Sequence, residues 1–384
     1  MGIFQIKLKE LKSKLDEARG NLEAAQRQYD YNKAAEIQYG EIPSLESAIE
    51  QMEMEVRENY EGGTFPPMGC RSHLSPNKDE YGNYKWYGRF NQGVVSINLP
   101  QIGILAKGDM DKFWRIFDER LELCKEALLV RHNLLKGTKS DVSPIHWQHG
   151  AIARLEKGEV IDRLLEGGYS TVSLGYVGLC ELSYTMLGVS HTTPEGEKFA
   201  LEVMNHMRAK CDEWKKETGL GFGLYGTPAE NLIYRFCRLD KQRFGEIPNV
   251  TDREFLTNSH HVPVWHEIGI FEKLEVEAPF CKYPTGGCIT YVELDTTFIK
   301  NTKAIEQVID YAFKELDIPY LAINFPIDAC LDCGYQGEFN DACPECGSTD
   351  IQQLRRVTGY LTGNYKTAFN KGKQAEVEAR VKHS

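Results

Sequence analysis

The chain has 384 residues, of which 41% are hydrophobic and 26% are charged, and its formal net charge at pH 7 is −11. This composition is typical of a globular protein with one large domain or two to three smaller ones. The acidic balance argues against nucleic acid as the main partner, because phosphate binding requires a basic surface. No apolar run approaches the roughly 20 residues that span a bilayer, and the polar N-terminus shows no secretory signal, so we expect a cytoplasmic protein that does not associate with membranes.

Residues 1–59 predict a helical coiled-coil hairpin. A heptad stripe of apolar side chains runs from Leu8 to Tyr29 and, after a break, resumes from Leu45 to Val56. The intervening stretch Asp30–Pro43 resembles part of the coiled-coil middle region of Clp-type disaggregases. No nucleotide-binding Walker sequence follows, so no ATPase activity is expected. A helical appendage and a docking handle both remain open as roles for this segment.

The stretches Glu61–Gly63 and Pro66–Pro67 mark a boundary, beyond which helical stretches alternate with short apolar or β-branched runs. Such alternation favours an α/β fold with largely parallel strands. The predicted helices lie near residues 109–135, 149–166, 195–217, 228–239 and 303–316. The predicted strands are 93–98, 171–174, 287–294 and 320–325.

Four cysteines near the C-terminus form a zinc-type knuckle. Cys330 and Cys333 make one Cys-x-x-Cys pair, and Cys343 and Cys346 make a second pair nine residues later. Four thiolates at this spacing can close around one tetrahedral Zn²⁺, which leaves no open position for catalysis, so we expect a structural zinc. A pair of redox dithiols is the alternative. A glycine follows each pair, at a position where the backbone often requires positive φ.

The segment after the knuckle, Arg356–Tyr360, is centred on Gly359 and closely resembles the glycyl-radical loop of anaerobic (class III) ribonucleotide reductases. Further stretches match the same family in the same order, and the knuckle occupies the position of the family's zinc site. These stretches are a finger loop at Pro67–Ser72, the segment after it at Gly88–Leu99, and the terminal sequences Asn370–Gln374 and Arg380–His383. The resemblance covers residues 63–383.

This resemblance implies that Gly359 stores a radical and that Cys70, in the finger loop, uses it as a thiyl. The chemistry suits both residues. A glycine Cα radical is delocalised over its flanking amides without a side chain to twist it, and a thiol S–H bond is weak enough to donate its hydrogen to such a radical. Asn91 matches the family's asparagine that binds a ribose hydroxyl. Each residue also has an alternative without a catalytic role: Gly359 as a turn glycine, Cys70 as a buried structural cysteine and Asn91 as a turn asparagine.

The stretch 221–231 reads as a strand, a glycine turn and a helix, with Thr227 at the N-cap and Pro228 at the first helical position. Backbone N–H groups and the helix dipole would then face an anion, so we place the substrate's di- or triphosphate there. The expected contacts are Gly226, Thr227 and Ala229. An ordinary capped helix without a ligand is the alternative.

A second polar stretch, Asn258–Ser259–His260–His261, is a further candidate for substrate binding, with Asn258 and Ser259 as the predicted contacts. The two histidines could line the pocket or bind a second metal, but adjacent residues on a strand point to opposite faces, which disfavours a site that uses both. The cysteines without paired spacing are interpreted as packing residues, and Cys288 is the least secure of them. They are Cys124, Cys180, Cys211, Cys237, Cys281 and Cys288.

The family's reductases are longer, and nothing upstream of residue 63 resembles their regulatory ATP cone, first half-barrel or second catalytic cysteine. We therefore expect residues 60–325 to form the second half of a ten-stranded α/β barrel around a central finger loop, and residues 326–384 to carry the zinc knuckle and the radical loop. The resemblance implies a ribonucleotide substrate and an iron–sulfur activase that uses S-adenosylmethionine. Formate is the common external reductant in the family, but the missing second cysteine leaves the reductant open here. We also expect a non-covalent partner chain with the N-terminal half, and a dimer stays open.

Two other readings compete with the reductase. One is a glycyl-radical carbon–carbon lyase, although such enzymes typically carry adjacent cysteines in the finger loop, whereas Gly69 and Arg71 flank Cys70 here. The other is a non-catalytic zinc-ribbon interaction protein with a coiled-coil handle. That reading requires that the two loops do not meet.

Overall fold

The computed structural model describes residues 2–49, 66–69, 71–339 and 341–383, and the chain divides into two compact units, residues 1–64 and 65–384. Within the described ranges, no helix combines the length and the apolar character needed to cross a membrane. The division of the second unit at residue 325 stays a prediction.

The first unit is helical over all but a short turn of its described part. Its elements are helix Gly2–Arg27, helix Tyr31–Glu36, a π-helical stretch at Ile37–Glu41 and helical residues 42–49. The Asp30 side chain accepts a hydrogen bond from the Lys33 backbone N–H and so caps the second helix. The two arms fold back on each other, since Arg19 donates to Glu46 over 3.1 Å. The predicted hairpin is thus present over 2–49, and the end of its apolar stripe, from residue 50 to Val56, lies outside the described residues.

The main core of the second unit is a three-stranded parallel sheet covered by helices. Strands β1 (Phe90–Asn98), β2 (Ser170–Val177) and β3 (Gly221–Tyr225) pair in that order. All eight residues of β2 are buried, as expected for a central strand of a parallel sheet with both faces covered. The long helices Met110–Leu135 and Pro194–Thr218 bury their apolar stripes against this sheet.

Two smaller sheets complete the unit. Strands β4 (Thr290–Glu293) and β5 (Leu321–Asn324) pair in parallel. The antiparallel sheet has the order β7-β6-β8-β9, with bounds Ile327–Cys330 for β6, Gln336–Gly337 for β7, Ile351–Val357 for β8 and Tyr360–Thr362 for β9. The α/β class is confirmed, whereas the ten-stranded barrel stays a prediction.

Most predicted elements are present. The helices predicted at 109–135, 195–217 and 303–316 form, the last as an α-helix followed by a π-helical stretch, Tyr311–Glu315. All four predicted strands lie on observed ones. Further helices of this unit are Leu99–Ala106, Pro144–Trp147, Leu179–Leu187, Leu232–Phe244, Ile270–Cys281, Thr302–Asp310, Tyr365–Ala368 and Lys371–Ala379.

Two helix predictions are wrong. Residues 149–166 form turns with a single 3₁₀ stretch at Asp162–Leu164, because Gly150 and Gly158 adopt left-handed φ values of 93° and 81° that interrupt a helix. The helix predicted at 228–239 is displaced to Leu232–Phe244. Thr227 is not its N-cap, because Ala229 and Glu230 have positive φ values of 50° and 26°, which lie outside the right-handed helical region, so the helix begins only after them.

Candidate functional site

The four knuckle cysteines converge as predicted. Their sulfur atoms all lie within 4.8 Å of one another, with Cys330 Sγ 3.5 Å from Cys346 Sγ and Cys333 Sγ 3.6 Å from Cys343 Sγ. A tetrahedral zinc with bonds of about 2.3 Å requires sulfurs about 3.8 Å apart, so these four fit the ion. The glycines after each pair, Gly334 and Gly347, have φ of 77° and 75°, which confirms the predicted backbone requirement.

The knuckle is joined to the Gly359 loop through the antiparallel sheet. Cys330 ends β6 and pairs with Ile351 at the start of β8, which runs directly to the loop. The pairing is reinforced by Arg355, which donates to both carboxylate oxygens of the fully buried Asp328 over 2.6 and 3.2 Å. A metal bound at the knuckle would therefore stiffen the strand that carries the loop.

Gly359 lies in a two-residue turn between β8 and β9, whose flanking residues Val357 and Tyr360 pair. Its neighbour Thr358 has φ of 53°, a left-handed conformation that is costly for a β-branched residue. Thr358 is buried, and its carbonyl accepts a hydrogen bond from Arg356 Nε over 2.9 Å. The turn is thus held in a strained conformation by its surroundings.

One tyrosine contacts the neighbours of both predicted radical residues. The Tyr291 hydroxyl donates to the Thr358 carbonyl over 3.4 Å and accepts from Arg71 Nη2 over 3.5 Å. The guanidinium carbons of Arg71 and Arg356 lie 5.3 and 5.1 Å from the centre of its ring. Cys70 itself lies outside the described residues. The structure therefore brings the residue after Cys70 and the residue before Gly359 onto the same side chain.

Arg71 is held in place by a buried polar network. Its Nη1 contacts the carbonyls of Gly226 and Thr227 over 3.5 and 3.3 Å and His261 Nε2 over 3.2 Å. A guanidinium only donates, so His261 Nε2 must accept and Nδ1 must carry the proton that it donates to Glu277 over 3.3 Å.

The charges of this network are fixed by burial and by pairing. Burial lowers the pKa of His261, which keeps the ring neutral and able to accept from Arg71. Burial alone would raise the pKa of Glu277, but the Lys273 ammonium, whose Nζ lies 2.5 Å from the carboxylate, helps to hold it well below its usual value. One carboxylate, Glu277, and two cations, Lys273 and Arg71 itself, thus give this network a net positive charge.

Asn91 lies at a β-bulge of β1, next to the finger loop. Its backbone N–H contacts Met68 Sδ over 3.2 Å, its side-chain amide donates to Ser173 Oγ, and its side-chain oxygen accepts from the Gly93 N–H over 2.7 Å. The alternative of a turn asparagine does not fit this strand position. Its contact with a ribose stays a prediction.

The predicted substrate contacts divide into two groups. Gly226, Thr227 and Ala229 do not cap a helix, since helix Leu232–Phe244 begins after Asn231 and has no side-chain cap. Asn258 lines the same pocket as Arg71, His261, Tyr291 and Thr358. Its Oδ1 is buried and has no hydrogen-bond partner among the described residues, as is also the case for Ser259 Oγ. An unpaired buried amide oxygen in a pocket is the kind of group that a ligand satisfies.

Sequence reasoning missed Tyr291, Glu277 and the anchoring role of Arg71. Tyr291 falls in a correctly predicted strand, and Arg71 directly follows the predicted radical cysteine. Both positions therefore carried a sequence signal that could have marked them as candidates. The missing information is long-range. Arg71 contacts Tyr291 across 220 positions of the chain, and Glu277 reaches Arg71 only through His261.

Comparison with known proteins decides the family. Residues 18–383 match the profile of the anaerobic ribonucleoside-triphosphate reductase family. The chain belongs to this family. The Escherichia coli anaerobic ribonucleoside-triphosphate reductase is 40% identical over 357 residues, which cover 88% of this chain and 50% of that protein. The chain thus spans about half the length of the curated relatives it matches. This result favours the reductase over the two competing readings.

A solved structure of an anaerobic ribonucleotide reductase shares the fold, with a TM-score of 0.64 and 22% identity over 81% of this chain and 48% of that one. Part of the present chain is also similar to the chaperone ClpB of Clostridium perfringens. The identity is 46% over 68 residues, which cover 18% of this chain and 8% of the chaperone. That short match accords with the resemblance of Asp30–Pro43 and carries no activity.

Proposed function

We propose that this chain is the radical-bearing part of an anaerobic ribonucleotide reductase, in which Gly359 stores the radical and Cys70 uses it. The observation that carries this proposal is the contact of Tyr291 with both Arg71 and Thr358. Two loops that are far apart in sequence can exchange a hydrogen atom only if they meet, and their neighbours share one hydroxyl group. Family membership supplies the reaction class.

The proposed reaction moves single hydrogen atoms between Gly359, Cys70 and the ribonucleotide. The Gly359 radical takes the hydrogen of the Cys70 thiol, which leaves a C–H bond at Gly359 and a thiyl at Cys70. The thiyl takes the 3′ hydrogen of the ribonucleotide, and the protonated 2′ hydroxyl leaves as water. Two electrons and two protons then reduce the substrate radical, and Cys70 returns the 3′ hydrogen atom, which leaves the thiyl to regain a hydrogen from Gly359. With formate as the reductant, its oxidation to carbon dioxide supplies both electrons and one proton, and solvent supplies the second proton.

The residues around the loops fix their orientation. Arg71 and Thr358 are buried, whereas Gly359 and residues 67–69 are exposed in this chain, so we propose that the partner chain covers the radical loops and excludes water from them. The Glu277–His261 pair holds Arg71, and Arg71 and Arg356 hold the Tyr291 ring between them. We expect Tyr291 to position the loops and not to react itself.

For substrate binding we retain Asn91, Gly226, Thr227, Ala229, Asn258 and Ser259. The strongest of these is Asn258, because its buried oxygen is free and an amide can accept from a ribose hydroxyl without titrating. The net positive charge of the Arg71 network suits the anionic phosphates of the substrate.

The zinc knuckle would hold Zn²⁺ with all four cysteines. Four sulfur ligands complete the coordination sphere, so the ion would stabilise structure and would not bind substrate. The described cysteines are free thiols, as expected for a cytoplasmic protein.

The complete reductase requires further components. We propose a radical-generating activase that uses S-adenosylmethionine and an iron–sulfur cluster, and a partner chain that supplies the N-terminal half of the ten-stranded barrel. Within the described part of the chain β1 pairs with β2 alone, which leaves an edge at which a further strand can pair. A dimer of the assembled enzyme remains open.

The test is anaerobic turnover of the activated, partner-bound enzyme, with the glycyl radical measured by electron paramagnetic resonance (EPR) on the same samples. We expect Cys70→Ser to keep the radical and form no deoxyribonucleotide. Tyr291→Phe removes one hydroxyl group with two hydrogen bonds, each worth about 0.5–1.5 kcal/mol, so turnover should fall roughly 5- to 150-fold while the radical still forms.

Cys180→Ser is the matched control, because Cys180 is buried and no role in radical transfer is proposed for it. It should behave as wild type. Product formation by the Cys70→Ser enzyme at the wild-type rate would contradict the assignment of the thiyl. Unchanged turnover of Tyr291→Phe would show that the shared hydroxyl does not matter for transfer.

A further inference from the structure

A second cluster of metal-type side chains lies apart from the knuckle. His260 Nε2, Cys281 Sγ and Cys288 Sγ all lie within 4.8 Å of one another, and all three residues are buried. They come from three separate segments: a turn within the predicted polar stretch, the last residue of helix Ile270–Cys281, and the approach to β4. Three soft donors from three segments meet here without a disulfide.

The imidazole of this cluster is oriented as a ligand would be. Tyr176 is fully buried, and its hydroxyl lies 2.6 Å from His260 Nδ1. This contact fixes one ring nitrogen and directs the other, Nε2, towards Cys281 Sγ at 3.8 Å. An oriented imidazole with its second nitrogen held by a hydrogen bond is the usual outer-shell arrangement of a histidine ligand.

We propose that His260, Cys281 and Cys288 bind a second metal ion. The ion would be a divalent cation that prefers sulfur and imidazole ligands, such as zinc. Two sulfurs and one imidazole nitrogen select zinc over hard cations such as magnesium or calcium. Two thiolates with a neutral histidine also balance the charge of a divalent ion, so the loaded site is electrically neutral in a buried setting. His261 faces Arg71 and Glu277 instead, so only one of the adjacent histidines takes part.

The proposed ion would fasten the segment on which the finger loop rests. Gly287, directly before Cys288, approaches the loop so closely that a Cβ there would lie 2.1 Å from the Arg71 carbonyl oxygen. The Gly286 carbonyl accepts from the His73 N–H over 2.8 Å, and the Gly287 carbonyl accepts from the Gly226 N–H over 2.9 Å. A metal at Cys288 would anchor this segment between residues 71–73 and the end of β3. The site does not depend on the proposed radical chemistry.

The test is the zinc content of the full chain, purified without oxygen and supplied with zinc alone. We expect two equivalents per chain, one for each cluster. Cys281→Ala/Cys288→Ala should halve the content, and Cys333→Ser/Cys346→Ser should remove the knuckle ion and keep the other. Cys124→Ala/Cys211→Ala is the control, since both cysteines are buried elsewhere, and it should keep both ions.

X-ray absorption of the Cys333→Ser/Cys346→Ser chain reports the ligands of the second metal directly. This measurement does not require the Cys281→Ala/Cys288→Ala variant to fold. We expect sulfur ligands at about 2.3 Å and a nitrogen ligand at about 2.0–2.1 Å. A single equivalent in the wild-type chain, or zinc absent from the Cys333→Ser/Cys346→Ser chain, would overturn the proposal. A disulfide between Cys281 and Cys288 in the freshly purified protein would overturn it as well.

Discussion

Buried neutral histidines make the stability of the second unit depend on pH. His191 and His383 are almost fully buried, and burial lowers the pKa of His191 to about 4 and that of His383 to about 3. In the unfolded chain a histidine has a pKa of about 6.5. Below that value the unfolded state takes up protons that the folded state does not, so stability is complete above pH 6.5 and decreases as the pH falls.

We predict that His383→Asn reduces this pH dependence. His383 Nδ1 accepts from the Glu293 N–H over 3.0 Å, and the asparagine oxygen can replace that acceptor without titrating. Between pH 7 and pH 5 the wild-type protein should lose about 2 kcal/mol more unfolding free energy than the variant. Urea unfolding at both pH values measures this difference. The exposed His149 provides the control as His149→Gln, and equal losses in wild type and His383→Asn would contradict the assignment.

At the scale of single residues, short sequence patterns were sufficient to propose candidates for the metal-binding and radical residues. The spacing of the knuckle cysteines and the turn glycines Gly334 and Gly347 is set by the chain itself, so both could be predicted. The partners of Arg71 could not, because Tyr291 and His261 reach it only through the tertiary fold.

Among the elements, the β6–β8 pair connects the knuckle to the Gly359 turn. Cys330 pairs with Ile351 at one end of β8, and Val357 at the other end precedes Thr358. A zinc bound by four cysteines contributes folding free energy directly, so its effect should be transmitted along β8.

We predict that Cys333→Ser/Cys346→Ser loosens β8 and leaves β2 unchanged. Both cysteines are exposed, so the substitutions themselves disturb little packing. Hydrogen exchange of the Ile351–Val357 amides should accelerate at least tenfold, which corresponds to about 1.4 kcal/mol of lost local stability. Amides of Ser170–Val177 serve as the internal reference. Unchanged exchange in β8 would show that the knuckle does not support the loop.

The wrong helix predictions have physical causes at the same scale. Residues 149–166 contain helix-compatible side chains, but glycines in left-handed conformations divide the segment into turns. The helix predicted from residue 228 begins later because Ala229 and Glu230 have positive φ values of 50° and 26°. Local helix propensity was overruled by backbone conformations with positive φ in both cases.

At the scale of the whole molecule, the chain belongs to the anaerobic ribonucleoside-triphosphate reductase family and shares the fold of a solved member. It spans about half the length of its curated relatives. The sequence alone predicted the α/β class, which the structure confirms, and the roles of Cys70 and Gly359 stay predictions that rest on short motifs. The strand orders β1-β2-β3 and β7-β6-β8-β9 could not be derived, because strand order depends on crossovers that no local pattern records.

The most direct test of the account is EPR of the chain after anaerobic activation by the activase. We expect a doublet from the Cα hydrogen of the Gly359 radical, which should collapse when the protein is made with Cα-deuterated glycine. The signal should be absent in Gly359→Ala. It should persist in Gly20→Ala, a helical glycine with no heavy atom within 4 Å of the added Cβ. A full-strength signal from the Gly359→Ala chain would contradict the central claim.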